Sequence, residues 1–75
     1  MNEIDRWIGK NLKDVLQMKD VTIESLSKKT EYSVEEINQM IKGDFGISLN
    51  DVSNLSIALS VHYSLLIDGI EFCKI

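Results

Sequence analysis

Proline is absent from this 75-residue chain, and no Gly/Ser linker or low-complexity tract interrupts it, so nothing in the composition suggests a disordered stretch. Cysteine is nearly absent: Cys73 alone cannot form an internal disulfide, and with His62 as the one histidine it cannot build a zinc site. No apolar run approaches the roughly 20 residues that a membrane span needs. The N-terminus, Met1-Asn2-Glu3-Ile4-Asp5, also lacks the basic then apolar order of a secretion signal. The expectation is a cytoplasmic protein with no membrane partner. Missing as well are a glycine-rich phosphate loop, a nucleophile with a plausible base and a metal-ligand cluster, and His62 beside Tyr63 does not amount to a catalytic site. Neither an enzyme nor a bound cofactor is expected.

Positive charge is scarce and unevenly placed. The chain carries a net −4, and residues 31–75 hold Lys42 and Lys74 against seven acidic residues. The first thirty residues hold six bases against five acids. Nonspecific affinity for nucleic acid comes mainly from cations that displace counterions at phosphates. Any positive surface therefore belongs to the first thirty residues, and the second half is acidic.

What is present is an ordinary globular content of apolar residues, 44%, in a chain long enough for one domain, 1–75. A domain this small buries only about 60% of its unfolded surface, which makes it marginal alone. Ile4, Ile8, Leu12 and Leu16 recur at every fourth position with Trp7 and Val15 flanking them, which predicts an amphipathic helix over about 4–18. Thr22 can cap a second, short helix over about 23–30, with Glu24 at the positive end of its dipole and Ile23 or Leu26, with Ser27, facing inward. Ser33-Val34-Glu35-Glu36 is a Ser-x-x-Glu capping box and starts a third helix, which carries Ile37, Met40 and Ile41 inward and stops at Gly43. About three residues separate the second and third helices, which leaves room only for a tight turn. After a loop at Asp44-Phe45-Gly46-Ile47, Ser48 caps a fourth helix. Its Leu49, Val52, Leu55, Ile57, Ala58 and Leu59 cover most of the circumference and imply a central position. A last helical turn over about 63–67 ends at Gly69, and residues 70–75 form an apolar tail with partial strand alternation. The expected architecture is all-α, with five helices and a short C-terminal tail.

This order of elements resembles the Cro and phage-repressor (XRE-like) helix-turn-helix family over residues 8–67. The residues that carry the resemblance are Ile8-Gly9-Lys10 with Leu12, Thr22 with Leu26, Ser33 with Ile37, Lys42-Gly43, Leu49 with Val52, and Ala58-Leu59 with Val61 and Leu66. The resemblance implies a five-helix, lambda-repressor-like domain that regulates transcription from an operator in double-stranded DNA, with a C-terminal tail at 68–75. The chain also departs from the family. Leu16 and Ile41 stand where an arginine and a glutamate often form an ion pair, a paired replacement by aliphatics that is often neutral or stabilising. Ile47 replaces a common loop proline. Glu31 replaces the usual glycine of the central turn, so that Glu31 takes up a strained backbone or the turn has a different shape.

Carried over residue by residue, the resemblance puts the third helix in the major groove. Ser33, Val34, Glu35 and Gln39 would then face bases, on a surface that also includes Glu36 and Asn38. Gln39 suits adenine, Glu35 a cytosine amino group and Val34 a thymine methyl. Thr22, Lys28, Lys29, Lys42 and the amides near Gly43 and Asp44 are the candidate phosphate contacts, while Ile23 replaces a glutamine that often supplies one. Trp7, Ile70, Phe72 and Ile75 either complete the core or form the interface of a homodimer, which a repressor needs to span two half-sites. A second function is open as well: a protein-interaction module, an antirepressor or inhibitor, whose Glu31, Glu35, Glu36 and Asp44 meet a basic protein partner.

Overall fold

Residues 3–67 are described by the computed structural model. In them the capping signals become four α-helices, α1 (Glu3–Lys19), α2 (Ile23–Lys29), α3 (Val34–Lys42) and α4 (Leu49–Leu59), followed by one 3-10 turn, Tyr63–Leu65. No strand occurs among the described residues, which are all-α. The expected fifth helix is corrected to that single turn. Ser60 turns left-handed, His62 is extended and accepts at Nδ1 from the Ser64 amide (3.2 Å), and of residues 63–66 only Leu66 is buried. So little apolar face cannot carry a full helix. The tail, and with it Ile70, Phe72 and Ile75, lies outside the described residues.

Hydroxyls begin three of the helices. Thr22 Oγ1 accepts from the Ser25 amide, and Ser33 and Ser48 each form a capping box, with Glu36 and Asp51 respectively as the reciprocal carboxylate. These bonds satisfy amides that the first helical turn leaves without partners. Three helices end alike. The amides of Val21, Asp44 and Val61 reach back five residues to the carbonyls of Leu16, Gln39 and Ser56, across a residue in the left-handed region. This is the Schellman arrangement. Its left-handed residue is a glycine only in α3 (Gly43, φ 82); α1 and α4 use Asp20 (φ 55) and Ser60 (φ 57).

The second helix ends differently. Thr30 is extended, and hydroxyls hold the following turn: Thr30 Oγ1 donates to Leu26 O (2.9 Å), and Ser27 Oγ donates to Tyr32 O (2.8 Å). Glu31 has no positive φ. The turn therefore has a different shape from a glycine-centred one, and Glu31 is not strained.

Ile8, Leu12, Val15 and Leu16 of α1, Leu26 of α2, Ile37 and Met40 of α3, Val52, Leu55 and Leu59 of α4, and Leu66 make one buried core. Each fully buried aliphatic contributes about 1.5–3 kcal/mol of transfer free energy. Helix α4 is one-sided rather than central: Val52, Leu55 and Leu59 point inward, while Leu49 is 77% and Ile57 73% exposed. Its neighbours are α2 and the 3-10 turn, and they leave the opposite stripe in solvent.

Helices α1 and α3 pack backbone to backbone. A methyl group on Gly9 would fall on the carbonyl oxygen of Met40 and stand 2.8 Å from that of Ile41. One turn earlier, a methyl on Gly43 would meet Cγ and Cα of Arg6. Buried Asp5 ties the loop before α4 to the same helix, its Oδ1 accepting from the Ile47 amide at 3.1 Å. A proline at 47 could not donate that bond, which accounts for its absence there. At the far end, Asn11 Nδ2 donates to Leu66 O (2.9 Å) and fixes the 3-10 turn.

Candidate nucleic-acid interface

Helix α3 presents two faces. Ile37 and Met40 are fully buried, whereas Val34 (38% exposed), Glu35, Gln39 and Lys42 face solvent and Asn38 is half-buried. The capping box engages two residues of the sequence-predicted DNA surface, Ser33 and Glu36. Ser33 Oγ accepts from the Glu36 amide (3.1 Å), and Glu36 Oε1 accepts from the Ser33 amide (2.9 Å). The carboxylate of Glu36 is thereby committed to the helix start, and the solvent-facing set is Val34, Glu35, Asn38, Gln39 and Lys42.

A groove of about 470 Å³ runs beside this face, between α1, the start of α2 and α3. Leu16, Val21, Ile23 and Ile41 form its apolar walls, and Thr22, Asn38 and Lys13 stand at it. Leu16 and Ile41 thus line one groove together. Two of the predicted contacts, Thr22 and Asn38, come together there. Lys29 does not join them. It lines a separate cavity of about 480 Å³ with Glu31, Tyr32, Asp51, Asn54 and Ile57, on the α4 side. Lys28 is exposed on α2.

That second cavity is built around Tyr32, which sequence reasoning passed over. Its hydroxyl donates to Asp51 Oδ1, and its ring meets Phe45 edge-on at 6.3 Å. Burial, and then the bond to Asp51, raise the Tyr32 pKa above its ordinary value. Burial also pushes the Asp51 carboxyl up. The Ser48 amide, the Tyr32 hydroxyl and the Ser48 hydroxyl outweigh it, so that the net shift is downward. Tyr32 thus links the α2–α3 turn to the first turn of α4. Nothing local marks it, because its partner lies 19 residues further on. Gly9 did leave a signal: a glycine inside an amphipathic helix costs about 1 kcal/mol against alanine, which implies a packing reason.

Charge divides the surface. Glu31, Glu35 and Glu36 surround the start of α3, and no cation lies between residues 30 and 41. Cations line α1 instead: Arg6, Lys10 and Lys13 are exposed, with Lys10 Nζ 5.2 Å from the Trp7 ring centroid. Trp7 is 42% exposed and lines a shallow depression with Glu3, Arg6 and Lys10. No group of histidine, cysteine and acidic residues among the described residues could hold a metal ion, and no described helix is long and apolar enough to cross a membrane. In comparisons with known proteins, the chain matches no family model and no curated protein.

Proposed function

We propose that this chain is a lambda-repressor-like helix-turn-helix domain acting in the cytoplasm as a sequence-specific DNA-binding transcriptional regulator of phage- or plasmid-repressor type. The observation that supports this reading is the mounting of α3: Ile37 and Met40 are sealed in the core, and Val34, Glu35, Gln39 and Lys42 face outward from a short, rigidly capped helix. A helix so held has the form required to enter a major groove of about 12 Å width and present side chains to base edges. Gln39 then pairs with adenine, Lys42 approaches guanine or phosphate, and Val34 meets a thymine methyl. A homodimer repeats α3 at half-sites one helical turn, about 34 Å, apart, with Trp7 a candidate for its interface. Titration of labelled genomic and random duplexes at low salt tests the proposal. Micromolar binding with preference for particular fragments is expected, and no binding in low salt would overturn it.

The carboxylates about the α3 start favour a second reading, a domain that docks a basic protein partner. Replacing Glu31 and Glu35 by lysine separates the two, while Glu36 is left in its cap. If DNA is the target, the substitutions raise nonspecific DNA affinity; if a basic protein is, they abolish its capture.

A further inference from the structure

We propose that the exposed Ile4–Trp7 face of α1 is the docking site of the chain's own C-terminal segment, residues 68–75, which seats Ile70 and Phe72 on it within the same molecule. The inference does not depend on the DNA-binding reading.

The place where the chain leaves the core decides which surface the segment meets. Residues 68–75 lie outside the described residues, but the approach to them is fixed: Leu66 O accepts from Asn11 Nδ2 at 2.9 Å, so the chain arrives at Ile67 beside the middle of α1. Ile4, Trp7 and Asn11 are spaced i, i+3 and i+7 and share one face of that helix. At a rise of about 1.5 Å per residue, Trp7 stands about 6 Å and Ile4 about 10 Å from Asn11 along the axis. An extended chain gains about 3.3 Å per residue, which brings Ile70 up to about 10 Å and Phe72 up to about 16 Å beyond Ile67. Both side chains reach the face with length to spare.

The face offers what an apolar, mildly acidic segment needs. Ile4 is 41% exposed, and Trp7 lines a shallow depression of about 430 Å³ with Glu3, Arg6 and Lys10. Two cations stand there against one carboxylate, while the segment brings Asp68 and Glu71 against Lys74. Asp5 is buried in its bond to the Ile47 amide, and Asp14 lies beyond Asn11, toward the other end of α1. The rival apolar surface, the outward stripe of α4, has the opposite balance: Ile57 shares its cavity with Lys29 against Glu31 and Asp51, two carboxylates that repel the segment. Tethering decides between this chain and another copy. A segment attached so close to its site has an effective concentration on the order of millimolar, which a second copy at micromolar protein does not match. A second copy approaching this face then meets the segment laid over Trp7 rather than the bare indole.

Cys73 and Trp7, the one cysteine and the one tryptophan of the chain, supply the test. Glu3→Cys and Lys10→Cys each place a second thiol on the rim of the depression, and Ser53→Cys places one between Leu49 and Ile57 on α4. A disulfide requires Cα atoms within about 7 Å of each other. Under mild oxidation of the full chain, at least one rim variant is expected to close an intramolecular bond to Cys73, seen as faster migration without reductant, while Ser53→Cys stays open. Trp7 emission is a second readout that needs no cross-link. Ile70→Ser with Phe72→Ser is expected to shift it to the red, and Leu49→Ser with Ile57→Ser to leave it in place, with far-UV circular dichroism confirming that each variant is folded. Equal closure at Ser53, no closure at either rim position, or an unmoved Trp7 emission overturns the proposal. Rim bonds that join two molecules and increase with protein concentration assign the face to a second copy and overturn it as well.

Discussion

The two ends of α3 are held by different physics. Its C-terminal end is shut against α1 by backbone contact: Gly9 lets the carbonyls of Met40 and Ile41 come close, and Gly43 lies on Arg6. Its N-terminal end is held by polar bonds through the capping box and through Tyr32, which reaches from the turn to Asp51 of α4. Close backbone packing tolerates no added atom, whereas a hydroxyl–carboxylate contact can be removed with the loss of one bond. The closed end sets where the helix lies. The open end leaves its outward face accessible.

The sharpest way to break this contrast is Gly9→Ala. The new methyl would collide with peptide carbonyls rather than with the end of a flexible side chain, so α1 and α3 must separate along their whole contact. Overpacking typically costs 1–3 kcal/mol and sometimes more; with backbone as the obstacle, a loss of about 3 kcal/mol or more is expected in urea unfolding. A stability within about 0.5 kcal/mol of the unaltered protein would show that the seam is not the rigid mount described.

Tyr32→Phe probes the polar end. It keeps the ring against Phe45 and deletes the bond to Asp51, which retains its contacts with Ser48. A loss of about 1–2 kcal/mol is expected, smaller than that from Gly9→Ala. The pH dependence carries a sign on each side. The folded-state pKa of Asp51 is depressed, so its contribution is present above the ordinary carboxylate value, about 4, and is lost as pH falls through the lower folded value. The folded-state pKa of Tyr32 is raised, so its contribution is complete below the ordinary tyrosine value, about 10, and disappears as pH rises through the higher folded value. Denaturation curves against pH should show both limbs, and Tyr32→Phe should remove the Tyr32 part of the alkaline one. An unchanged alkaline limb would count against the bond.

Local chemistry was readable in the chain; long-range chemistry was not. Thr22, Ser33 and Ser48 announce helix starts because a cap joins residues three apart, and Gly43 announces an end because its side chain is absent. Leu49 and Ile57 misled the reading of α4, because periodicity reports apolar content but not which stripe finds a neighbour. Asp5 with Ile47, Asn11 with Leu66 and Tyr32 with Asp51 each join residues 19 to 55 apart, and no spacing rule identifies such partners. The candidate interface divides the same way. The outward residues of α3 followed from its period, whereas the separation of Lys29 from Thr22 and Asn38 required the packing of α2.

The smallest effect concerns helix ends of one shape built from different residues. At Gly43 the left-handed backbone carries no steric cost, but Ser60 adopts the same conformation with a side chain, at roughly 1–2 kcal/mol for an ordinary residue. Ser60→Gly relieves that strain and adds conformational entropy to the unfolded chain, worth roughly 0.5–1 kcal/mol in the opposite direction. A net gain of about 0.5 kcal/mol is expected, read as a rise in melting temperature. Asp20→Gly should gain less, because a short polar side chain such as aspartate tolerates the left-handed region better. A gain at Asp20 that exceeded the gain at Ser60 would show that features of each site, rather than the shared left-handed turn, set the cost of ending these helices without glycine.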